Sequence, residues 1–386
     1  MGIAAPGEAP SGLRLPEFTD RFRQWVTANE GELAPVLDIR SDFGERVQLA
    51  RDLRRILCEH GWGQVGWPVD VGGAGGSILH RGVMYEELYR AGWSGPTIFE
   101  HLEIIAPTLV RYGSPGFAAS VLPEFLTGSR AWAQGFSESE AGSDLAGLRT
   151  RAELDGDAYA VNGVKIWTSW AKYADWCLAL VRTGTAEERH RGLTMIAIGL
   201  NSPGAEVRPI TQSNGTDELA EVTFSGVRVP RTQVVGDVGG GWRVAMYLLA
   251  HERGTLSWLK QCAFRQRIAT SAKVMREDHD RELGGVALQI AGVRAAAANL
   301  LGREAAGHEI GPEAAFNKLL MTRTEQNLFN LLRDVDGIRI AMPGDAREEL
   351  ILQQEYLFSR IVTIYGGSQQ MQLITIARHI LGLDND

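Results

Sequence analysis

Apolar and polar positions follow three successive regimes along the chain. From residue 16 to 128 the apolar positions recur at helical spacing, as in Phe18, Phe22 and Trp25, then Val47, Leu53, Ile56 and Leu57. A glycine-rich interruption runs from Gly61 to Gly76. Ser77 is placed to cap a helix through Met84 and Leu88, and Pro96 ends that stretch. More helix is expected at 99–112 and 117–127. Residues 131–237 change to short apolar or alternating runs around Tyr159–Val161, Trp176–Val181, Leu193–Ile198 and Glu221–Phe224. Asp155-Gly156-Asp157, Asn162-Gly163 and Asn201 to Gly204 supply turns between them, so an antiparallel β domain is expected. Pro230 and the glycines from Gly236 to Gly241 punctuate a boundary. Long helical patterns then return, with Trp242, Met246, Leu249 and Ala250 on one stripe, followed by helices at 283–307, 312–335 and 345–364 and a last one near Gln369. Helices, then sheet, then helices predict an α+β fold with domains at 1–128, 129–237 and 238–386.

Composition narrows the functional classes. The 386 residues are 44% hydrophobic, a globular composition with length for two to three core units. A net charge of −8 without a Lys/Arg run argues against nucleic acid as a partner, and leaves room for an anionic ligand where arginines are placed locally. No run of about 18 apolar residues exists, so no membrane span is expected. The first 15 residues lack the charged and apolar blocks of a signal peptide. Cys58, Cys177 and Cys262 are far apart, with neither metal spacing nor a disulfide framework, which predicts a reducing, cytoplasmic setting. No P-loop, HExxH or GxSxG occurs, and Gly72 to Gly76 does not fit the dinucleotide fingerprint. The eight histidines form no metal pair, so no metal site is expected.

Three strings say more. They are Gln134-Gly-Phe-Ser-Glu-Ser-Glu-Ala-Gly-Ser-Asp144, Asn162-Gly-Val-Lys-Ile-Trp-Thr-Ser169, and Ile364-Tyr-Gly-Gly-Ser-Gln-Gln-Met-Gln372 leading into Ala377 to Leu383. In order and spacing they resemble the acyl-CoA dehydrogenase family. Gly66-Trp-Pro68, Gly113-Ser-Pro115, Leu122-Pro-Glu124, Val227-Arg-Val-Pro230, Gly241-Trp242 and Glu252-Arg253-Gly254 extend the resemblance over nearly the whole chain.

The resemblance implies a helical N-terminal domain, a β middle domain and a C-terminal four-helix bundle. It implies FAD between sheet and bundle, usually across a subunit interface, and oxidation of the α–β bond of an acyl-CoA thioester. A base takes the α proton while the β hydrogen leaves as hydride to the flavin. By the same resemblance Gln134, Phe136, Ser137, Gly142 and Ser143 line the flavin ring, with Ser143 also touching substrate. Trp167, Thr168 and Ser169 lie beside the ring, and Ser368, Gln369 and Gln370 start a helix that contacts it. Taken alone, Trp167 also reads as ordinary β-domain core. Implied partners are acyl-CoA, an acceptor such as electron-transferring flavoprotein, and a homodimer or homotetramer, with heteromers known among relatives.

The chain departs from the family pattern in three places. Many members carry the catalytic glutamate directly after the tyrosine of the third string, where this chain has Gly366-Gly367. Others place the base before an arginine on the first long helix of the bundle. That makes Glu252 the candidate base, and Arg253, Gly366 and Gly367 the candidate substrate contacts. Burial under flavin and acyl chain would raise a carboxylate's pKa into a useful range. The plainer readings are a solvated Glu252 paired with arginine, and an Arg253 in a structural ion pair. The usual Arg-x-x-Phe-Gly motif, whose arginine reaches the partner subunit's FAD, is missing from residues 276–286. Trp170 stands where glycine is common, either reshaping the acyl pocket or packing outward. An oxidase or monooxygenase on the same fold, and a non-catalytic subunit of a heteromeric flavoprotein, are the competing functions.

Overall fold

The computed structural model describes residues 10–38, 40–93, 98–272, 279–344 and 346–383. Six helices come first: α1 (Leu15–Ala28), α2 (Glu30–Leu37), α3 (Phe43–Glu59), α4 (Ile78–Arg90), α5 (Ile98–Tyr112) and α6 (Pro115–Thr127). The expected periodicity is buried here. Phe18 and Phe22 on α1 are fully covered and meet the Trp62 ring edge-on at 5.5 and 5.0 Å. Asp42 caps α3 by accepting from the Glu45 N–H at 2.9 Å, and Ser77 forms a capping box with His80 at the start of α4. Pro96, expected to end that stretch, lies outside the described residues.

Between α4 and α5, Arg81 donates twice to buried Glu103, at 2.8 and 3.0 Å, and the Tyr85 hydroxyl donates to the same carboxylate. Breaking a buried pair leaves an uncompensated charge, at about 3–5 kcal/mol. Glu103→Ala is therefore expected to lower folding stability by about that much in chemical denaturation. A loss under about 1 kcal/mol would mean that Arg81 finds solvent.

Eight strands follow: β1 (Trp132–Gly135), β2 (Arg151–Asp155), β3 (Ala158–Ser169), β4 (Trp176–Arg182), β5 (Leu193–Gly199), β6 (Ala205–Ile210), β7 (Leu219–Pro230) and β8 (Val234–Val235). The sheet order is β6-β7-β3-β2-β4-β5-β8. The hairpin neighbours pair antiparallel as expected, but β1 joins β4 in parallel, with Gln134 opposite Leu178. No hairpin turn connects those two strands, so local sequence does not fix their direction. Alternation along β4 and β5 sends Leu178, Leu180 and Met195 toward the helices and Cys177, Ala179 and Ile196 into the sheet's own core.

The chain ends in α7 (Gly241–Ser271), α8 (Asp280–Ala305), α9 (Ala314–Ala341), α10 (Arg347–Phe358) and α11 (Gln369–His379). The stripe expected on α7 is offset. Val244, Ala245 and Leu248 are buried, Trp242, Leu249 and Ala250 are half-buried, and Met246 is exposed. α7 packs against α4, α5 and β5 as well as α8 and α9, so its buried face is broader than a surface helix's and the expected stripe falls at its edge. α8 is long and apolar enough to pass as a membrane span by length and composition. Its Val286, Ile290, Val293 and Ala297 instead pack into the bundle. The helix expected at 345–364 stops at Phe358. The chain then turns to Gly366 and Gly367, at φ +63° and +88°, where only glycine is relaxed.

Candidate active site

The first two strings are joined by hydrogen bonds around one buried lysine. Lys165, on β3 and fully covered, donates to the Phe136 carbonyl at 3.1 Å and to Glu138 at 2.8 Å. Glu138 also accepts from the Arg149 and Thr150 N–H groups, at 2.7 and 2.9 Å. Burial works to raise the Glu138 pKa, but Lys165 and these donors outweigh it and hold the carboxyl below its usual range. The loop after β1 is thereby fixed. Between Lys165 and Thr168 the β3–β7 register shifts, and the Ile166 N–H donates to Ser137 O at 3.0 Å. At this bulge Trp167 adopts φ +59° and turns outward, 56% exposed, which excludes a core role. Thr168 is buried, and its hydroxyl has no hydrogen-bond partner among the described residues. Gly142 and Ser143 are exposed, and Gln134, Ser137 and Ser169 half-buried, whereas Phe136 is buried.

A second group forms where α7, α9 and the approach to α11 meet. Glu252 lies on the core side of α7 at 7% exposure, which excludes a solvated surface glutamate. Burial pushes its carboxyl above the usual range, Lys318 and Arg253 pull it back, and Glu100 adds to the rise. A Cβ built on Gly366 would overlap the Glu252 carboxylate oxygen and lie 3.1 Å from Glu252 Cδ and 3.4 Å from Lys318 Nζ. One built on Gly367 would lie 2.5 Å from Gln372 Nε2 and 3.1 Å from Arg253 Nη2. Arg253 Nε donates to Gly366 O at 3.3 Å, and Gln372 Nε2 to Gly367 O at 2.9 Å. Arg253 therefore holds the glycine turn rather than a paired carboxylate. Ser368 caps α11 through Met371 N, while Gln369 and Gln370 are exposed.

Glu218, just before β7, relates the two groups. Its carbonyl oxygen accepts from the Trp170 N–H at 2.7 Å, and its carboxyl acts electrostatically on Tyr365. Burial pushes its pKa up to about 7. Trp170 resolves inward. It holds a left-handed φ of +69°, the conformation that favours the glycine common there, and its ring packs edge-on to Phe43 and His101, both at 5.5 Å. Lys318 and Glu218 escaped the sequence reading, because single polar residues on helices and turns read as solvated, while Tyr365 and Gln372 stood in the third string without a role. The start of the segment at 276–286 lies outside the described residues, and its later part opens α8.

Comparisons with known proteins agree along the whole chain. Residues 17–129, 133–227 and 239–381 match the N-terminal, middle and C-terminal domains of acyl-CoA dehydrogenase. Acyl-CoA dehydrogenase IpdE1 of Mycobacterium tuberculosis is 36% identical over 381 residues, which cover 96% of this chain and 98% of that protein. Among solved structures, Tcur3481-Tcur3483 steroid ACAD superposes with a TM-score of 0.80 at 26% identity, covering 96% of this chain and 98% of that one. The ChsE4-ChsE5 complex from Mycobacterium tuberculosis superposes at 0.75 with 27% identity, covering 97% and 100%. Three domain matches in order, on a fold of helices, sheet and helices, place this chain in the acyl-CoA dehydrogenase family of flavoprotein oxidoreductases acting in lipid metabolism.

Proposed function

We propose that the protein uses FAD to oxidise the α–β bond of an acyl-CoA thioester, with Glu252 taking the α proton. One observation carries this reading. The Glu252 carboxylate occupies the space that a side chain at position 366 would enter, so two alternative base positions of the family converge on one point of this fold. The base position is filled from α7 while Gly366 leaves it clear.

The residues fit a flavin. Trp167 offers an exposed aromatic face, and Thr168 beside it carries a buried hydroxyl with no partner among the described residues. Gly142, whose Cβ would meet nothing within 4 Å, and Ser143 leave the neighbouring backbone open to a ligand edge. Gln134, Phe136, Ser137, Ser169 and the α11 start at Ser368 to Gln370 complete the candidate contacts. The flavin, when bound, accepts the β hydride. Glu252 accepts the α proton at its carboxylate, Gly366 and Gly367 admit the thioester region, and Arg253 fixes the turn that carries them.

A steroid ACAD among the structural neighbours puts ring-bearing acyl groups beside linear ones as candidate substrates. Exposed Leu288 on α8, Phe316 and Ile338 on α9 and Met342 just past it support an oligomer, and two neighbours named as pairs support a heteromer as its form. Electron-transferring flavoprotein is the expected acceptor.

The purified protein, alone or with its partner subunit, is expected to be yellow with noncovalent FAD and larger than a monomer by light scattering. Anaerobic titration with a panel of acyl-CoA thioesters should bleach the flavin stoichiometrically with the preferred chain. A protein that neither binds FAD alone nor gains it in any oligomer defeats the proposal. Bleaching followed by rapid peroxide formation in air identifies an oxidase instead.

A further inference from the structure

Lys318 is a lysine that no part of the proposed chemistry has used. It lies on α9 at 3% exposure, and its Nζ makes no hydrogen bond among the described residues. The ammonium sits over the Tyr365 ring, 3.9 Å from the centroid. It also borders the space beside Gly366 that the Glu252 carboxylate enters, 3.4 Å from a Cβ placed there. A buried cation without a hydrogen-bonded partner is costly, and such a group persists where it serves a neighbouring charge.

We propose that Lys318 is a positioning residue whose ammonium, facing Glu252 across the gap that Gly366 leaves open, keeps that carboxylate ionised and ready to accept a proton. The other charged groups around the pair are largely committed. From α9, Glu325 pairs with Lys260 of α7 at 3.3 Å. From α7, Arg253 is bonded to Gly366 O. Glu218 ahead of β7 accepts the Trp170 N–H at its carbonyl, and burial pushes its carboxyl up to about 7. Glu100 of α5 adds negative charge that opposes ionisation of Glu252, and the Tyr365 hydroxyl is pushed far up by burial and stays neutral. The strongest counter-charge acting on Glu252 is thus Lys318, ahead of Arg253. Burial lowers Lys318 itself to about 8, which leaves it protonated at neutral pH.

The sign follows directly. A base works when ionised, so activity is present above the Glu252 pKa and lost as pH falls through it. Removing the cation moves that loss to higher pH, by about 1–3 pH units for an opposite charge at this range. Infrared titration of the FAD-loaded enzyme, with Glu252→Gln as the blank, follows the protonated-carboxyl band of Glu252. In Lys318→Met the midpoint is expected to rise by about 1–3 pH units, and the acid limb of kcat to move with it while KM changes little. Lys318→Arg should restore both toward wild type. A Lys318→Met midpoint equal to or below wild type overturns the proposal. Where Lys318→Met does not fold by circular dichroism, Lys318→Gln carries the same test. The kinetic arm rests on Glu252 being the base, whereas the infrared arm does not. A Glu252→Gln enzyme of normal rate would sink the base assignment and leave the Lys318 titration to stand or fall alone.

Discussion

Replacing Glu252 by glutamine is expected to slow substrate-driven flavin reduction by about 10²–10⁴-fold while FAD stays bound, because a positioned general base is worth about that much. Glutamine keeps the shape and hydrogen bonding of the side chain and removes only the proton acceptor. The burial of Glu252 makes the substitution a clean one, since the carboxyl already lies in a site that disfavours its charge. The neutral amide should therefore fold at least as well. Stopped-flow reduction by the preferred thioester reads the result. A glutamine variant within about fivefold of wild type is well below that range and removes Glu252 from the mechanism.

Gly366→Ala is expected to lower the reduction rate by about 10²-fold, although it adds one methyl group. The residue holds φ +63°, where a side chain is strained, and the new Cβ would overlap the Glu252 carboxylate. The carboxylate must swing aside, and displacements near 1 Å at a reacting group cost about 10²-fold. Glu252→Asp, with its carboxylate drawn back toward α7, relieves the overlap. The alanine should consequently cost much less in the aspartate background than in wild type. Equal costs in both backgrounds would show that the methyl acts through backbone strain alone.

How much of this was legible in the sequence depended on where each contact partner lies. Phe18 and Phe22 declared α1 because their spacing and their burial are both local. The parallel pairing of β1 with β4 was hidden because the partner strand lies far along the chain. On α7 the periodicity was real, but neighbours on several sides buried a different set from Trp242, Met246, Leu249 and Ala250. The strings proposed to meet the flavin were readable through resemblance only. Glu252 stood out as the candidate base because Gly366 leaves the family's commoner base position without a carboxylate, a difference of a single residue. Lys318 had no local signal at all, since what makes it unusual is a neighbour on another helix and a gap left by a glycine.

The start of α7 has a consequence for how this protein can diverge. A Cβ on Gly241 would lie 2.6 Å from the Thr194 backbone, so the helix begins in direct contact with β5. Eleven residues later the same unbroken helix presents Glu252. The helix thus acts as a ruler from the sheet to the proposed base, with about 1.5 Å and ~100° of rotation per residue. Inserting or deleting one residue within that span would carry the carboxylate off the face that looks toward Gly366. Length is therefore constrained along this span, whereas substitutions on its outer face leave the placement of Glu252 intact.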